Sequence, residues 1–113
     1  MRAIVTGGGG FIGSHLTERL LAEGHEVIVI DNLATGRTEN LDGVKGHPRL
    51  RVHEGSVSMP EECAGLFRGA DWVFHLAGLA DVVPSIEWPW VYFQANAAGT
   101  VGALESARVA GVK

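Results

Sequence analysis

The hydrophobic positions of the chain form short apolar runs that are separated by polar or glycine-rich segments. Residues 3–5, 27–30 and 72–74 are apolar without polar alternation, which is typical of strands that are covered on both faces of a parallel sheet. Residues 50–53 give a weaker strand signal. The pattern therefore predicts four strands and favours a parallel sheet.

The segment between the first two strands has apolar residues at helical spacing. Ile12, Leu16 and Leu20 recur at four-residue intervals, and Gly24 stands where a glycine commonly ends a helix. We therefore expect a helix over residues 11–23.

Two further helices complete the pattern. Pro60 fits the first turn of a short helix over residues 60–67, and a long final helix is expected to begin near Pro89 and to end before Gly111. The connection over residues 32–49 shows neither helical nor strand-like spacing of apolar residues, and its length favours a loop that covers a ligand. Right-handed crossovers between parallel strands then predict an open α/β sheet of order 3-2-1-4, the first half of a doubly wound Rossmann-type fold.

Composition and charge exclude several classes of protein. The 113 residues suffice for one domain, 46% of them are hydrophobic, and no apolar run approaches the roughly 20 residues of a membrane helix. The nine basic residues are scattered and the net charge is -4, so we expect no nucleic-acid partner. The amino terminus lacks a signal-peptide pattern, and the single cysteine, Cys63, cannot form an internal disulfide. We therefore expect a cytoplasmic protein.

The segment TGGGGFIG, residues 6–13, lies between the first strand and the first helix. Gly7, Gly10 and Gly13 have the spacing G-x-x-G-x-x-G. In such a segment the glycines permit a tight turn, close approach of a pyrophosphate, and close packing of helix on strand, respectively. The unpaired N–H groups and the dipole of the helix start would bind the anion. A glycine turn that merely separates two elements is the alternative interpretation.

An acidic residue in the right place favours the binding site. Asp31 follows the second strand, 18 residues beyond Gly13, where a carboxylate can accept hydrogen bonds from an adenosine ribose. A strand-end turn residue before Asn32 is the alternative. Because strand, glycine turn, helix, strand and acid occur in order, the sequence predicts dinucleotide binding, with NAD preferred to NADP. Arg37 is the nearby residue that could reverse this preference by pairing with a 2'-phosphate.

The same segments resemble the NAD-dependent epimerase/dehydratase family of extended short-chain dehydrogenases. The resemblance is carried by TGGGGFIGSHL, VIVIDNLATGR, VFHLAGLADVVPSIEWP and NAAGTVGALESARVAGVK, which together cover nearly the whole chain. The UDP-glucose (UDP-galactose) 4-epimerases are the most similar group within the family. The resemblance implies an NAD site and, in a full-length parent protein, a nucleotide-sugar substrate.

The resemblance also assigns residues to the cofactor, one group after each strand. These are Gly7, Gly10, Phe11, Ile12 and Gly13 at the pyrophosphate turn; Asp31, Asn32, Thr35 and Gly36 at the adenosine ribose; Ser56 and Val57 at the adenine; and Leu76, Ala77, Gly78 and Ala80 on the nicotinamide side.

Three positions depart from the family pattern. Ser56 stands where an aspartate is usual, Ala80 stands where a lysine is common, and Ala95 replaces a polar residue that contacts the cofactor. Asn96, which follows Ala95, is therefore only a weak candidate for a cofactor contact. The glycine turn and Asp31 are intact, so we expect cofactor binding that is weakened without being lost.

Catalysis in this family depends on a Tyr-x-x-x-Lys pair and a nearby Ser or Thr. Tyr92 is the only tyrosine, Asn96 lies four residues beyond it, and the only lysines are Lys45 and Lys113. We therefore expect no catalytic residue in residues 1–113, which resemble the N-terminal part of an NAD-binding domain without its catalytic segment and sugar-binding domain. A fragment of a sugar-nucleotide dehydratase and a non-catalytic dinucleotide-binding or assembly module are the alternatives.

Other polar and aromatic residues have competing interpretations. The five histidines lack metal-ligand spacing, so no metal site is expected. Asp81 and Ser85 would either lie near a substrate or cap a helix. Trp88 and Trp90 would either stack on a ligand or pack at a helix start.

The edge of the predicted sheet indicates self-association. The strand over residues 70–76 is apolar, yet the strand order places it at an edge, which favours pairing with another chain. The small residues Ala95, Gly99, Gly102 and Ser106 share one face of the final helix and would admit a second helix, or would pack on the sheet of the same chain. We expect a homodimer.

Overall fold

A parallel sheet of four strands forms the centre of the molecule, described over residues 1–113 by a computed structural model. The strands are β1 (Arg2–Thr6), β2 (Glu26–Asp31), β3 (Leu50–Glu54) and β4 (Trp72–His75). Their order is β3-β2-β1-β4, and every neighbouring pair is parallel. The predicted fold class and strand order are therefore confirmed.

The two faces of the sheet bury two separate hydrophobic clusters. Alternate residues of a strand point to opposite faces, so Ile4 and Ile28 join one cluster while Val5 and Val29 join the other. The first cluster includes Phe67, which is fully buried. Because both faces of β1 and β2 are covered, these two strands have the continuous apolar runs from which they were predicted.

Helices cover both faces of this sheet. They are α1 (Phe11–Ala22), α2 (Pro60–Cys63), α3 (Val82–Glu87), α4 (Pro89–Phe93) and α5 (Gly99–Ala110), with 3-10 helices at Thr38–Val44 and Ala64–Phe67 and a π-helical segment at Gln94–Ala98. The C-terminal boundary of α1 agrees with the prediction, since Gly24 has a φ of 89° immediately after the C-cap residue Glu23. None of the helices is long and apolar enough to cross a membrane.

Two local features were not predicted. The connection over residues 32–49 contains the 3-10 helix Thr38–Val44, which anchors itself by burying Leu41. The helix that begins at Pro89 does not run uninterrupted, because the π-helical segment Gln94–Ala98 separates α4 from α5. No periodic hydrophobic signal marks either feature, so neither could be recognised from spacing.

The region before α4 also differs from expectation. Asp81 occupies the N-cap position of α3 without a side-chain capping bond, and Ser85 lies within that helix and donates to the Val82 carbonyl. Trp88 and Trp90 are 63% and 65% exposed, so neither packs into the core of this chain. Trp90 nevertheless stacks on Phe93 within α4, with the ring centroids 5.4 Å apart, so it packs at a helix start, as one of the two interpretations expected.

The small-residue face of the final helix packs within the chain. Gly99, Gly102 and Ser106 are buried, and a Cβ atom on Gly102 would lie 1.9 Å from the Val57 carbonyl oxygen. The close approach that these residues allow is thus used by the segment that follows β3. Of the two alternatives for this face, packing within the same chain is therefore the one observed.

Candidate functional site

A cleft of about 260 Å³ opens at the carboxyl ends of the four strands. The turn after β1 lies on its floor, the segments after β2 and β3 form one side, and the segment after β4 forms the other. The strand order reverses at β1, from which β2 and β4 extend in opposite directions. Parallel α/β sheets bind ligands in the crevice at this position.

Most of the residues predicted to contact a cofactor line this cleft. They are Gly7, Gly10, Asp31, Asn32, Thr35, Gly36, Ser56, Val57, Leu76, Ala77 and Gly78. The cleft also includes residues for which no cofactor contact was predicted, namely Ile30, Ala34, Gly55, Ser58, Leu79, Val91, Gln94 and Ala95.

The other predicted residues lie outside the cleft lining. Gly13 is covered by the glycine turn, since its Cβ would lie 2.1 Å from the Gly7 carbonyl oxygen. Phe11 and Ile12 begin α1 with side chains that are 79% and 67% exposed, so only their backbone N–H groups are oriented by the helix start toward an anion. Ala80 is also exposed.

The three spaced glycines occupy distinct environments. Gly7 has a φ of 72°, and a Cβ there would lie 2.7 Å from the Ala77 backbone nitrogen, so both conformation and space require glycine. Gly13 packs directly under Gly7. A Cβ on Gly10 would have only the Gly7 carbonyl oxygen within 4 Å, at 3.3 Å. The open space beside Gly10 is therefore the place where a ligand can approach the turn.

The start of α1 is suited to an anion. Its N-cap residue is Gly10, no side chain caps the helix, and its first turn contains no acidic residue. The N–H groups of this turn have no intrahelical acceptor and carry the positive end of the helix dipole. An anion in the cleft could thus be bound by the backbone alone.

Asp31 is fixed by backbone hydrogen bonds on both oxygens. Its Oδ2 accepts the Gly9 N–H at 2.8 Å and its Oδ1 accepts the Leu33 N–H at 2.7 Å. The residue is 8% exposed at the end of β2. Each carboxylate oxygen retains acceptor capacity, so Asp31 can hold the glycine turn and still accept hydrogen bonds from ribose hydroxyls.

The glycine turn has a second anchor that sequence reasoning missed. The Gly9 carbonyl accepts the Arg37 N–H at 3.0 Å and the Asn40 side-chain amide at 2.8 Å. Gly36 lies directly beneath, since its Cβ would lie 2.8 Å from the Gly9 carbonyl carbon. The segment after β2 therefore positions the middle of the turn. No motif connects Asn40 with Gly9, so only the fold could reveal this contact.

The opposite side of the cleft depends on a hydrogen-bonded chain through His75. Thr6 Oγ1 lies 2.7 Å from His75 Nδ1, and His75 Nε2 lies 3.1 Å from Thr100 Oγ1. Thr6 Oγ1 also accepts the N–H groups of Leu76 and Ala77, at 3.1 and 3.2 Å. Both of these residues line the cleft.

The positions of the protons in the Thr6–His75–Thr100 hydrogen bonds follow from which groups can donate. Thr100 donates its proton to the Asn96 carbonyl at 2.6 Å, so its oxygen accepts from His75 and places the imidazole proton on Nε2. His75 Nδ1 then accepts the proton of Thr6. The arrangement requires a neutral ring, and burial of His75 lowers its pKa in agreement.

Asn96 holds a backbone segment rather than lining the cleft. Its Oδ1 accepts the Leu79 N–H and its Nδ2 donates to the Leu79 carbonyl, both at 2.8 Å. The two bonds use one donor and one acceptor position of the amide, and they tie the segment after β4 to the π-helical segment. Asn96 thus positions Leu79, and its contact with a cofactor stays a prediction.

The environment of Cys63 suits a structural role and not a reactive one. It is fully buried, its thiol donates to the Ser56 carbonyl at 3.2 Å, and burial together with the charges of Glu62 and Glu61 raises its pKa. A thiol held in its neutral form is a poor nucleophile. The chain contains no group of three or more His, Cys, Asp or Glu side chains that could hold a metal ion.

The match to a family of known proteins covers this entire site. The model of the NAD dependent epimerase/dehydratase family matches residues 3–113. The chain belongs to this family. The predicted family resemblance is thus confirmed, and with it an NAD-dependent class of protein.

Individual family members are similar along the whole chain. A UDP-glucose 4-epimerase of Mycolicibacterium smegmatis is 38% identical over an alignment of 115 residues, which covers 100% of this chain and 36% of that protein. The structure of a Thermotoga maritima UDP-glucose 4-epimerase with UDP-glucose has a TM-score of 0.90 and 37% identity, covering 100% of this chain and 36% of that one.

A dehydratase is equally similar. The structure of DesIV, a dTDP-glucose 4,6-dehydratase of Streptomyces venezuelae with NAD and TYD bound, has a TM-score of 0.92 and 40% identity, covering 99% of this chain and 37% of that one. The chain thus spans little more than a third of the length of these three proteins.

Proposed function

We propose that the chain is the NAD-binding portion of a nucleotide-sugar epimerase of the UDP-glucose 4-epimerase type. The observation that carries the proposal is the bond between the Gly9 N–H and Asp31 Oδ2, at 2.8 Å. It brings the anion-binding turn and the ribose-binding carboxylate together in one cleft, where a dinucleotide needs both.

The cleft has complementary groups for each part of NAD. The first turn of α1 would bind the pyrophosphate through backbone N–H groups, and Asp31 would accept from the ribose hydroxyls. The residues after β3 would receive the adenine, while Leu76 and Ala77 would lie along the nicotinamide. NAD would supply hydride transfer when bound, and the groups in this chain would bind and orient it.

Support for a particular sugar nucleotide comes from the similar proteins and not from the residues of the cleft. The Thermotoga protein was crystallised with UDP-glucose, which supports a UDP-sugar epimerase. The 40% identity to the DesIV dehydratase supports a sugar-nucleotide dehydratase as a second candidate. The chain contributes no Tyr-x-x-x-Lys pair to either reaction, because its single tyrosine is followed four residues later by Asn96.

Isothermal titration calorimetry tests the binding function directly. NAD is titrated into the 113-residue chain and into an Asp31→Ala variant, whose folding is checked by circular dichroism. We expect one NAD per wild-type chain and a clear loss of affinity in the variant. A folded wild-type chain that does not bind NAD contradicts the proposal and leaves a non-catalytic module of the same fold.

The two candidate reactions are distinguished by a separate experiment. The coding region is read beyond codon 113, and any longer product is assayed with UDP-galactose and with dTDP-glucose. Conversion of UDP-galactose to UDP-glucose supports the epimerase, whereas loss of water from dTDP-glucose supports the dehydratase.

A further inference from the structure

The base end of the cleft lies at the end of β3. Gly55 follows this strand and donates its N–H to the Asp31 carbonyl at 3.0 Å, and the cleft lining continues from Asp31 through Ser56, Val57 and Ser58. A dinucleotide with its pyrophosphate at β1 and its ribose at Asp31 therefore directs its purine toward these residues. This orientation rests on the proposed binding of a dinucleotide in the cleft.

Two polar groups at this end of the cleft would face the edge of a purine bound there. One is the hydroxyl of Ser56, and the other is the N–H of Val57, which makes no hydrogen bond within the chain. The backbone of Ser56 is held in place, because its carbonyl accepts the Cys63 thiol at 3.2 Å and the Met59 N–H at 3.1 Å. The Ser56 hydroxyl is thus presented from a fixed position.

The Ser56 hydroxyl forms a hydrogen bond with the Ser58 hydroxyl in which either group can be the donor. Its oxygen lies 2.7 Å from the hydroxyl oxygen of Ser58 and accepts the Ser58 N–H at 3.2 Å. Either hydroxyl can donate in the bond between the two oxygens. Each hydroxyl has one proton and two acceptor positions, so the direction of this bond decides what Ser56 offers to the cleft.

The two directions offer opposite hydrogen-bonding groups. When Ser56 donates to Ser58, its oxygen accepts the Ser58 N–H and keeps one acceptor position, which suits a 6-amino group. When Ser58 donates to Ser56, both acceptor positions of Ser56 are filled and its own proton is free, which suits a 6-oxo group. An aspartate at position 56 would be ionised at neutral pH and could only accept.

We propose that the Ser56–Ser58 pair lets the cleft accept dinucleotides with a 6-oxopurine as well as those with a 6-aminopurine. The Val57 N–H is a donor in every variant at position 56, so its own preference between the two bases stays constant. Comparing the ratio of the two affinities between variants therefore isolates the contribution of residue 56.

Calorimetry with two ligands tests the proposal. NAD and nicotinamide hypoxanthine dinucleotide, which differ only at the purine, are titrated into the wild-type chain, Ser56→Asp and Ser56→Ala. We expect Ser56→Asp to raise the ratio of NAD affinity to hypoxanthine-dinucleotide affinity by at least about tenfold, because the carboxylate faces the 6-oxo group with acceptor against acceptor. Ser56→Ala should weaken both ligands alike and keep the wild-type ratio.

The outcomes separate this inference from the proposed function. A folded wild-type chain that binds neither ligand contradicts dinucleotide binding itself. If the wild-type chain binds NAD, an unchanged ratio in Ser56→Asp overturns only the role of the serine pair. Should Ser56→Asp not fold, a ratio that moves more than about threefold in Ser56→Ala also overturns it, because a hydroxyl that serves both bases cannot discriminate between them.

Discussion

The side-chain amide of Asn40 donates to the carbonyl of Gly9 at 2.8 Å, across 31 residues of sequence. Gly9 is flanked by glycines, and glycine permits more backbone conformations than any other residue. The carbonyl and the Gly10 N–H belong to one peptide plane and turn together. Asn40 therefore helps to keep that carbonyl away from the anion site at the start of α1.

We expect Asn40→Ala to weaken NAD binding while the fold is retained. Loss of one hydrogen bond that contributes about 0.5–1.5 kcal/mol corresponds to an affinity about twofold to tenfold lower. Calorimetry measures the affinity, and thermal unfolding checks the fold. Thr38→Ala is the matched control, because Thr38 lies in the same 3-10 helix and is exposed. Equal affinities of Asn40→Ala and the control would show that Asn40 has no positioning role.

Two glycines of the turn should respond differently to substitution. Gly10→Val adds a side chain in the open space of the cleft, where only the Gly7 carbonyl oxygen is near, so we expect a folded protein that does not bind NAD. Gly13→Ala places a Cβ 2.1 Å from the same oxygen, so we expect loss of stability. Urea unfolding and NAD titration of both variants measure this contrast. Retained NAD affinity in a folded Gly10→Val protein would show that Gly10 serves only the turn.

We expect NAD to bind more tightly than NADP. Asp31 is 8% exposed and fixed by two backbone hydrogen bonds, so it cannot move away from a 2'-phosphate that it repels. Arg37 offers its backbone N–H to the Gly9 carbonyl, and its exposed side chain is the group that could pair with the phosphate. Calorimetry with both cofactors decides between them, and tighter binding of NADP would refute the assignment. Arg37→Ala then shows whether this side chain aids NADP.

The fold could be predicted from the sequence because the strands carry a strong local signal. Both faces of β1 and β2 are buried, so their apolar runs are unbroken and their order follows from right-handed crossovers. The glycine turn and Asp31 were recognisable because their spacing reflects one ligand geometry.

The remaining features depend on contacts between distant segments. Asn40 reaches Gly9 across 31 residues of sequence, and Thr6 reaches His75 across 69 residues. The side-chain amide of Asn96 binds both backbone groups of Leu79, 17 residues away in the sequence. Sequence spacing does not report such pairings, because it reflects local periodicity and not tertiary hydrogen bonding.

Stability should fall as the pH is lowered through the titration of His75. Burial lowers the pKa of His75 below its ordinary value of 6.5, so the unfolded chain takes up the proton before the folded chain does. The contribution of His75 is therefore complete above about pH 6.5 and is lost as the pH falls toward the folded-state pKa.

Urea unfolding between pH 8 and pH 5 measures this dependence. We expect His75→Gln to flatten the part of the profile near and below pH 6.5, where the wild-type ring titrates. His15→Gln, at an exposed position of α1, is the control. An NMR titration of the His75 ring gives the folded-state pKa directly, and a value at or above 6.5 would contradict the neutral hydrogen-bonded chain.

The edge of the sheet predicts self-association of the chain. β4 pairs only with β1, and its residues Trp72–His75 are half-buried, so backbone groups and apolar side chains are exposed along one edge. Such an edge favours pairing with another strand, and a two-fold dimer is the simplest closed arrangement. Sedimentation equilibrium over a range of concentrations should show a dimer. Leu104→Lys, on the exposed face of α5, should leave the dimer intact if β4 forms the interface, whereas a monomeric wild-type chain at high concentration would contradict the prediction.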